Sequence, residues 1–311
     1  PCWTQLGELR DAYEKFEVAG IKVYAISYDD CEVLAEFSEK QGIPFPLLSD
    51  IDSEVIRAYG ILNDQVAPED GFFYGIPYPG VYVTDEGGRV AAKFFHGTYK
   101  KRDSAELLIA AATGNMVLKP DAPSATGGDD DIVLNVSLQG GRGDLRQGMV
   151  REIVVRFELP EGLHIYGEPA PEGLVATEVT IEGAPGLMVE PAVLPPTDTL
   201  ALRGIGHELQ VWSGTVDIRV PVYAASELAT EVAPLAHEST TVVVVVRYQA
   251  CDHDTCLLPR MERFRLEIPL DVTEVPAIPI HQGHGQREGN YDGTPHFKRL
   301  LARKPSTRKP I

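Results

Sequence analysis

The chain has 311 residues, 43% hydrophobic and 24% charged, the composition of a globular protein too long for one ordinary domain. Its net charge of −18 excludes electrostatic binding of the protein body to nucleic acid or anionic membranes. Apolar runs such as Val242 to Val246 are too short to cross a bilayer, and four cysteines are too few for a disulfide-stapled mini-fold.

Residues 4–20, TQLGELRDAYEKFEVAG, carry Leu6, Leu9, Tyr13 and Phe16 at helical spacing and stop at Gly20, which predicts a helix. KVYAISYDD is apolar on both faces, as a buried parallel strand requires. Asp30 is placed to cap the helix CEVLAEFSEKQG, whose inner stripe is Val33, Leu34 and Phe37 and whose stop is Gly42. After IPFPLLSD comes a third helix, DSEVIRAYG, and then a hairpin, PGVYVTDEGGRVAAKFFHG, turning at Glu86-Gly87-Gly88. Asp103 opens a last helix, SAELLIAAATG. This order predicts an α/β layer domain over residues 1–113 that lacks its first strand.

Residues 114–130 have Pro, Gly, Ser and Asp without apolar periodicity and read as a linker. Over residues 131–273 the pattern changes to period two. DIVLNVSLQ, REIVVRFELP, VATEVTIEG, ELQVWSGTVDIRVPVY, STTVVVVVRYQA and MERFRLEIPL are strands divided by Gly and Pro, the grammar of an antiparallel sandwich. Residues 274–311 turn to Pro, His, Gly and basic side chains, among them Lys298, Arg299, Arg303, Lys304, Arg308 and Lys309, and are expected to form a mobile tail.

Cys2 stands at the start of the first helix, where unpaired N–H groups and the helix dipole favour the thiolate that attacks disulfides and peroxides. The alternative is a small residue filling space at a helix start. The stretches PCWTQLGELRDAYEKFEVAGIKVYAISYDD, FPLLSD, IRAYGI and GIPYPGVYVTDEGGRV resemble, in that order, the redoxin (AhpC/TSA, thioredoxin-like) family across most of residues 1–113. Members of that family carry either Cys-x-x-Cys or a single peroxidatic cysteine with Thr or Ser three residues before it. Cys2 matches the second cysteine of the former or the lone cysteine of the latter, and the deciding position precedes Pro1, so the chain as written is expected to carry only the later half of the site. Family register also implies a role for Pro79, six residues before Asp85. There thioredoxin-like members have a cis-proline that presents backbone to an incoming disulfide, whereas many peroxiredoxins have an arginine. Pro79 thus favours thiol–disulfide exchange, against the plainer reading of a turn proline. Cys31, where the strand feeds its helix, is a possible resolving partner, with a small buried residue as the favoured reading.

The loop CDHDTC places Cys251 and Cys256 at the ends of a hairpin, close enough to pair. YQAC-x4-CL-x-P, with LPEGLHIYGEP and VWSGTVDIRVPV, resembles the N-terminal domain of the disulfide reductase DsbD over about residues 130–272. That resemblance implies an immunoglobulin-like sandwich, a redox-active cysteine pair and an extracytoplasmic location. A structural clip is the rival reading of the pair. Metal binding is disfavoured, because Cys251, His253 and Cys256 lack a fourth ligand and His281, His284 and His296 lie in a Gly/Pro-rich stretch. No cofactor or metal is expected.

Together these readings predict a thiol–disulfide oxidoreductase that exchanges electrons between Cys2 and a Cys251/Cys256 dithiol or a partner protein, such as a thioredoxin-type reductant. The alternatives are a peroxiredoxin-type enzyme taking a hydroperoxide at Cys2, and a non-catalytic redoxin-fold binding module with a structural disulfide.

Overall fold

The computed structural model describes residues 2–67, 74–114, 116–201, 208–230, 235–252 and 254–272. The basic tail and the histidines His253, His281, His284 and His296 lie outside the described residues. The chain divides into two units, the first within Pro1–Asn115 and the second Met116–Val272. Among the described residues no helix is long and apolar enough to cross a membrane.

The first unit runs α1 (Cys2–Asp11), α2 (Tyr13–Val18), β1 (Ala25–Ser27), α3 (Cys31–Gln41), β2 (Leu47–Ser49), α4 (Glu54–Ala58), β3 (Gly80–Thr84), β4 (Val90–Phe95), β5 (Arg102–Asp103) and α5 (Ala105–Thr113). The single helix expected over 4–20 is interrupted at Ala12, whose ψ of 6° leaves the helical range. Its apolar stripe still packs inward: Leu9, Ala12 and Phe16 join Ile43, Phe45, Ala105 and Leu108 in one core, against Val81 and Phe94 of the hairpin. β1 and β2 pair in parallel, Ile26 opposite Leu48, and β3 and β4 pair antiparallel. Asp30 caps α3 as expected, its carboxylate accepting from the Val33 N–H at 3.0 Å, and Gly42 closes the helix at φ 60°. The Asp of LLSD has a parallel job, since Asp50 accepts from the N–H groups of Glu54 and Ile56 at the head of α4.

The second unit is β throughout: β6 (Ser124–Gly128), β7 (Val133–Gln139), β8 (Met149–Glu158), β9 (His164–Tyr166), β10 (Glu178–Gly183), β11 (Leu187–Val189), β12 (Asp198–Ala201), β13 (Glu208–Ser213), β14 (Thr215–Ala224), β15 (Ser239–Tyr248), β16 (Ala250–Cys251) and β17 (Arg260–Pro269). One sheet has the order β11-β14-β8-β7-β6 and faces a second, β10-β15-β17. Val136, Leu138, Val155, Phe157 and Ile218 from the first meet Val244, Val246, Phe264 and Leu266 from the second in one core, which makes the unit a sandwich. Each such side chain, fully buried, contributes roughly 1.5–3 kcal/mol. A third sheet, β12-β13-β9-β16, carries the cysteine hairpin.

The linker expected over 114–130 is shorter than its composition suggests. Ser124–Gly128 forms β6 and pairs with β7 in full register, and the Lys119 N–H already donates to Gln139. Backbone pairing holds this strand, with the small Ala125 side chain packed against the core. A Cβ on Gly127 would fall 2.6 Å from the Phe264 ring, and Gly128 takes φ +100°. The sandwich therefore begins before residue 131.

Candidate functional site

Cys2 is exposed on the first turn of α1. The next residue, Trp3, packs on Phe37 of α3 with ring centroids 5.9 Å apart, while Thr4, Glu8 and Leu9 bury the inner face. These contacts fix the start of the helix and leave the sulfur on its open side. Arg102 of β5 reaches that sulfur: its Nη2 donates to Cys2 Sγ at 3.3 Å while Nη1 donates to the Lys101 carbonyl at 2.6 Å. The Arg102 Nε, together with Ser104 Oγ and Gln5 Nε2, is buried without a hydrogen-bond partner. A guanidinium aimed at a thiol is a charged donor at the point where negative charge resides in the attacking thiolate. The neighbouring Asp103 is held by His96 at 2.6 Å, and α5 begins two residues later.

Arg102 is the residue that reasoning from the sequence missed. It stands one hundred positions from Cys2 in a basic run, KKRDS, that carries no motif. Pro79, in contrast, does not have the expected geometry. Among the described residues the cis peptide bond is Glu168–Pro169, and the Tyr78–Pro79 bond is trans. Trans is the ordinary form of an X–Pro bond, and the chain just upstream is tied by backbone hydrogen bonds. Leu62 and Pro77 form an isolated antiparallel bridge, and Asn63 N–H donates to the Ile76 carbonyl and Tyr78 N–H to that of Ile61. The support that Pro79 lent to disulfide exchange over peroxide chemistry is thereby removed. Cys31 is the first residue of α3 and is exposed, not a buried space-filler, because Asp30 caps the helix ahead of it and its inner face begins at Leu34.

Cys251 and Cys256 form a disulfide with Cα atoms 4.1 Å apart, across an antiparallel bridge. The turn between them is held by its own backbone. Asp252 N–H donates to the Thr255 carbonyl, and Asp252 Oδ1 accepts from the N–H groups of Asp254 and Thr255. Gln249 ties the hairpin to the body, donating to the Leu257 carbonyl and accepting from the Val175 N–H. The two sulfurs differ. Cys251 is wholly buried with Tyr166, Leu209 and Val211, whereas Cys256 is exposed next to Leu257 and the protruding Leu258. The Tyr166 hydroxyl lies 3.9 Å from Cys256 Sγ, and burial pushes its pKa above the ordinary tyrosine value. Tyr166 sits on β9, a strand of three residues that the sequence reading passed over.

Comparison with known proteins locates two family matches in the chain. The AhpC/TSA family model matches residues 1–93, and the model for the N-terminal part of the thiol:disulfide interchange protein DsbD matches residues 143–268. The putative peroxiredoxin Rv2521 of Mycobacterium tuberculosis is 39% identical over 93 residues, which cover 29% of this chain and 55% of that protein. The putative peroxiredoxin bcp of Haemophilus influenzae is 31% identical over 112 residues, covering 35% of this chain and 67% of that one. Thus the chain spans about half the length of the mycobacterial relative and two thirds of the Haemophilus one. Among solved structures, the N-terminal periplasmic domain of ScsB from Proteus mirabilis aligns over 49% of this chain and 51% of that one, with a TM-score of 0.32 and 15% identity.

Proposed function

We propose, for a chain that belongs to the AhpC/TSA family, that it is a thiol-dependent oxidoreductase which reduces hydroperoxides at Cys2 and draws its electrons from a dithiol. The observation that carries this reading is the Arg102 guanidinium 3.3 Å from Cys2 Sγ. In the first step the Cys2 thiolate attacks the distal peroxide oxygen. The O–O bond breaks, Cys2 becomes a sulfenic acid, and the alkoxide takes a proton to leave as alcohol. A guanidinium at the sulfur donates a charged hydrogen bond to it and can donate to the peroxide as charge moves onto oxygen.

The sulfenic acid then needs two electrons. A thiol condenses with it, forming a disulfide and releasing water, and a second thiol exchanges to free Cys2. The Cys251/Cys256 pair, once reduced, supplies both thiols and returns to the disulfide present in this structure. What supports this assignment is the match of residues 143–268 to the DsbD N-terminal model and the exposure of one of the two sulfurs. An extracytoplasmic compartment fits the same pair, because disulfides persist there. Thiol–disulfide exchange at Cys2 with a partner protein stays as the second reading, favoured by the same dithiol and no longer by Pro79.

The test is direct. The full-length protein, reduced and mixed with hydrogen peroxide or an alkyl hydroperoxide, is expected to consume it, and dimedone is expected to label Cys2. Consumption that is unaffected by Cys2→Ser, or a Cys2 that never takes up dimedone, would overturn the proposal.

A further inference from the structure

Among the described residues of the first unit, the buried side-chain atoms without a hydrogen-bond partner are Gln5 Nε2, Arg102 Nε and Ser104 Oγ. Buried donors left unpaired are rare, because each gives up its hydrogen bond to water and gains nothing in exchange. Here they gather on two short stretches of chain. Gln5 follows Cys2 by three positions on α1, which sets the two side by side on one helix face. Arg102 and Ser104 alternate with Asp103 along extended backbone, so they share a side while Asp103 turns the other way, to His96. Arg102 is 3% exposed and Ser104 0%.

Two of the three depart from their ordinary use. Ser104 is the N-cap residue of α5, with φ −70° and ψ 158°, where a serine hydroxyl normally accepts from the first N–H groups of the helix. Its side chain makes no such bond. Nε and Nη2 of Arg102 form one edge of a planar fork, and Nη2 donates to Cys2 Sγ at 3.3 Å. The unpaired Nε–H is thus the second arm of a fork whose first arm is on the reacting sulfur. An atom held by that arm would lie next to the sulfur.

We propose that Gln5 Nε2, Arg102 Nε and Ser104 Oγ hold the leaving oxygen of a hydroperoxide attacked by Cys2, which makes Gln5 and Ser104 catalytic residues for this step. This rests on the peroxide reading of Cys2. The thiolate attacks the distal oxygen, and the S–O bond forms as the O–O bond breaks. The electron pair of that bond stays on the proximal oxygen, which leaves as alkoxide, or as hydroxide from hydrogen peroxide, and takes a proton from water. Cys2 is oxidised by two electrons to the sulfenic acid, and the peroxide is reduced by the same two. In the intact peroxide the proximal oxygen is a neutral acceptor with two lone pairs. In the leaving anion it carries a full charge and three lone pairs, one for each donor. The interaction is therefore stronger in the transition state than in the bound substrate, the condition for accelerating a reaction. A disulfide expels a thiolate, whose sulfur is a weaker acceptor, so the three donors select oxygen leaving groups over sulfur ones.

The experiment compares two reactions of Cys2 in the reduced full-length protein at one fixed pH, with hydrogen peroxide and with iodoacetamide. Both are read as loss of the free Cys2 peptide by mass spectrometry. They share the attacking thiolate, but iodoacetamide expels iodide, a poor hydrogen-bond acceptor. Gln5→Leu and Ser104→Ala should each slow the peroxide reaction about tenfold or more and leave alkylation within about twofold of the wild type. Because Ser104 makes no capping bond, Ser104→Ala removes one oxygen without loosening α5, and it decides the matter if Gln5→Leu misfolds. A peroxide rate within about twofold of the wild type in either folded variant, or peroxide and alkylation rates that fall together, would overturn the proposal. A wild-type Cys2 that is alkylated but never oxidised by hydrogen peroxide would sink the peroxide reading itself, and this is seen before any variant is made.

Discussion

Replacing Arg102 by Met removes the cation at Cys2 while keeping an unbranched side chain, and its effect can be worked from the 3.3 Å contact. Two unit charges at that separation attract by about 5 kcal/mol at an effective dielectric of 20 and by about 1.3 kcal/mol in bulk water. Cys2 is exposed, so the aqueous limit governs. Hydrogen bonds to charged groups fall at about 1.5–3 kcal/mol, which agrees with the low end of that range. About 1.4 kcal/mol is a factor of ten, so Arg102→Met should slow attack of Cys2 on hydroperoxide about tenfold or somewhat more. Arg102→Lys, which keeps the charge and loses the planar fork, should lie between the two. The assay is stopped-flow fluorescence, with Trp3 beside the reacting sulfur as reporter and peroxide in excess. If Met and Lys variants both react within twofold of the wild type, the guanidinium does not serve the thiolate and the peroxide reading loses its main support.

In the sandwich, burial pushes the Asp144 carboxyl up, but the guanidiniums of Arg151 and Arg146 and the Arg142 N–H outweigh it and hold the pKa below the ordinary carboxylate value. A depressed folded pKa stabilises above the unfolded value, and this contribution is lost as pH falls through the folded one, so urea melts of the second unit should weaken on the acid side, and less so in Asp144→Asn. Asp144→Asn removes the carboxylate charge beside the fully buried Arg151 and should cost about 3 kcal/mol in the same melts. Reduction of the Cys251–Cys256 bond opens a loop of sequence separation 5. A loop that short implies a loss of about 2 kcal/mol or less. The reduced second unit should therefore remain folded by circular dichroism, and a collapse on reduction would mark the bond as structural.

How much of this was legible in the sequence varies with the range of the interaction. The helix caps at Asp30 and Gly42 are local signals and stand where the residues put them. The five valines of β15 announce a strand, but no periodicity in an all-apolar run tells Val242, Val244 and Val246, which are fully buried, from their half-buried neighbours. β6 was hidden for the opposite reason, because SATGG offers only Ala125 as an apolar side chain to reveal a strand that backbone pairing holds. β9 is only three residues long between turns, and its importance comes from the strand beside it, since Cys251 of β16 pairs opposite His164. Arg102 and Cys2 meet across one hundred residues, a distance at which only folding makes them neighbours. The expected cis bond at Pro79 was likewise a matter of family register, and the Tyr78–Pro79 bond is trans.

The unequal burial of the two sandwich sulfurs fixes the course of the proposed relay more narrowly than its electron count does. A peroxide oxidises Cys2 by two electrons and a dithiol holds two, so the stoichiometry alone allows either cysteine of the pair to react first. Exchange, however, requires the attacking sulfur to approach along the axis of the bond being broken, and a sulfur without solvent access cannot be reached that way. Cys251 is 0% exposed and belongs to the cluster of Tyr166, Leu209 and Val211, whereas Cys256 is open. Cys256 must therefore make the first bond to Cys2, with Cys251 resolving it. The consequence is asymmetric. In the full-length protein Cys251→Ser should accumulate a Cys2–Cys256 disulfide after one equivalent of peroxide, because the resolving thiol is gone. Cys256→Ser should accumulate no linkage between Cys2 and Cys251, and non-reducing peptide mapping separates the two results. Equal trapping in both variants, or trapping only through Cys251, would mean that the hairpin opens before exchange and that burial does not direct the reaction.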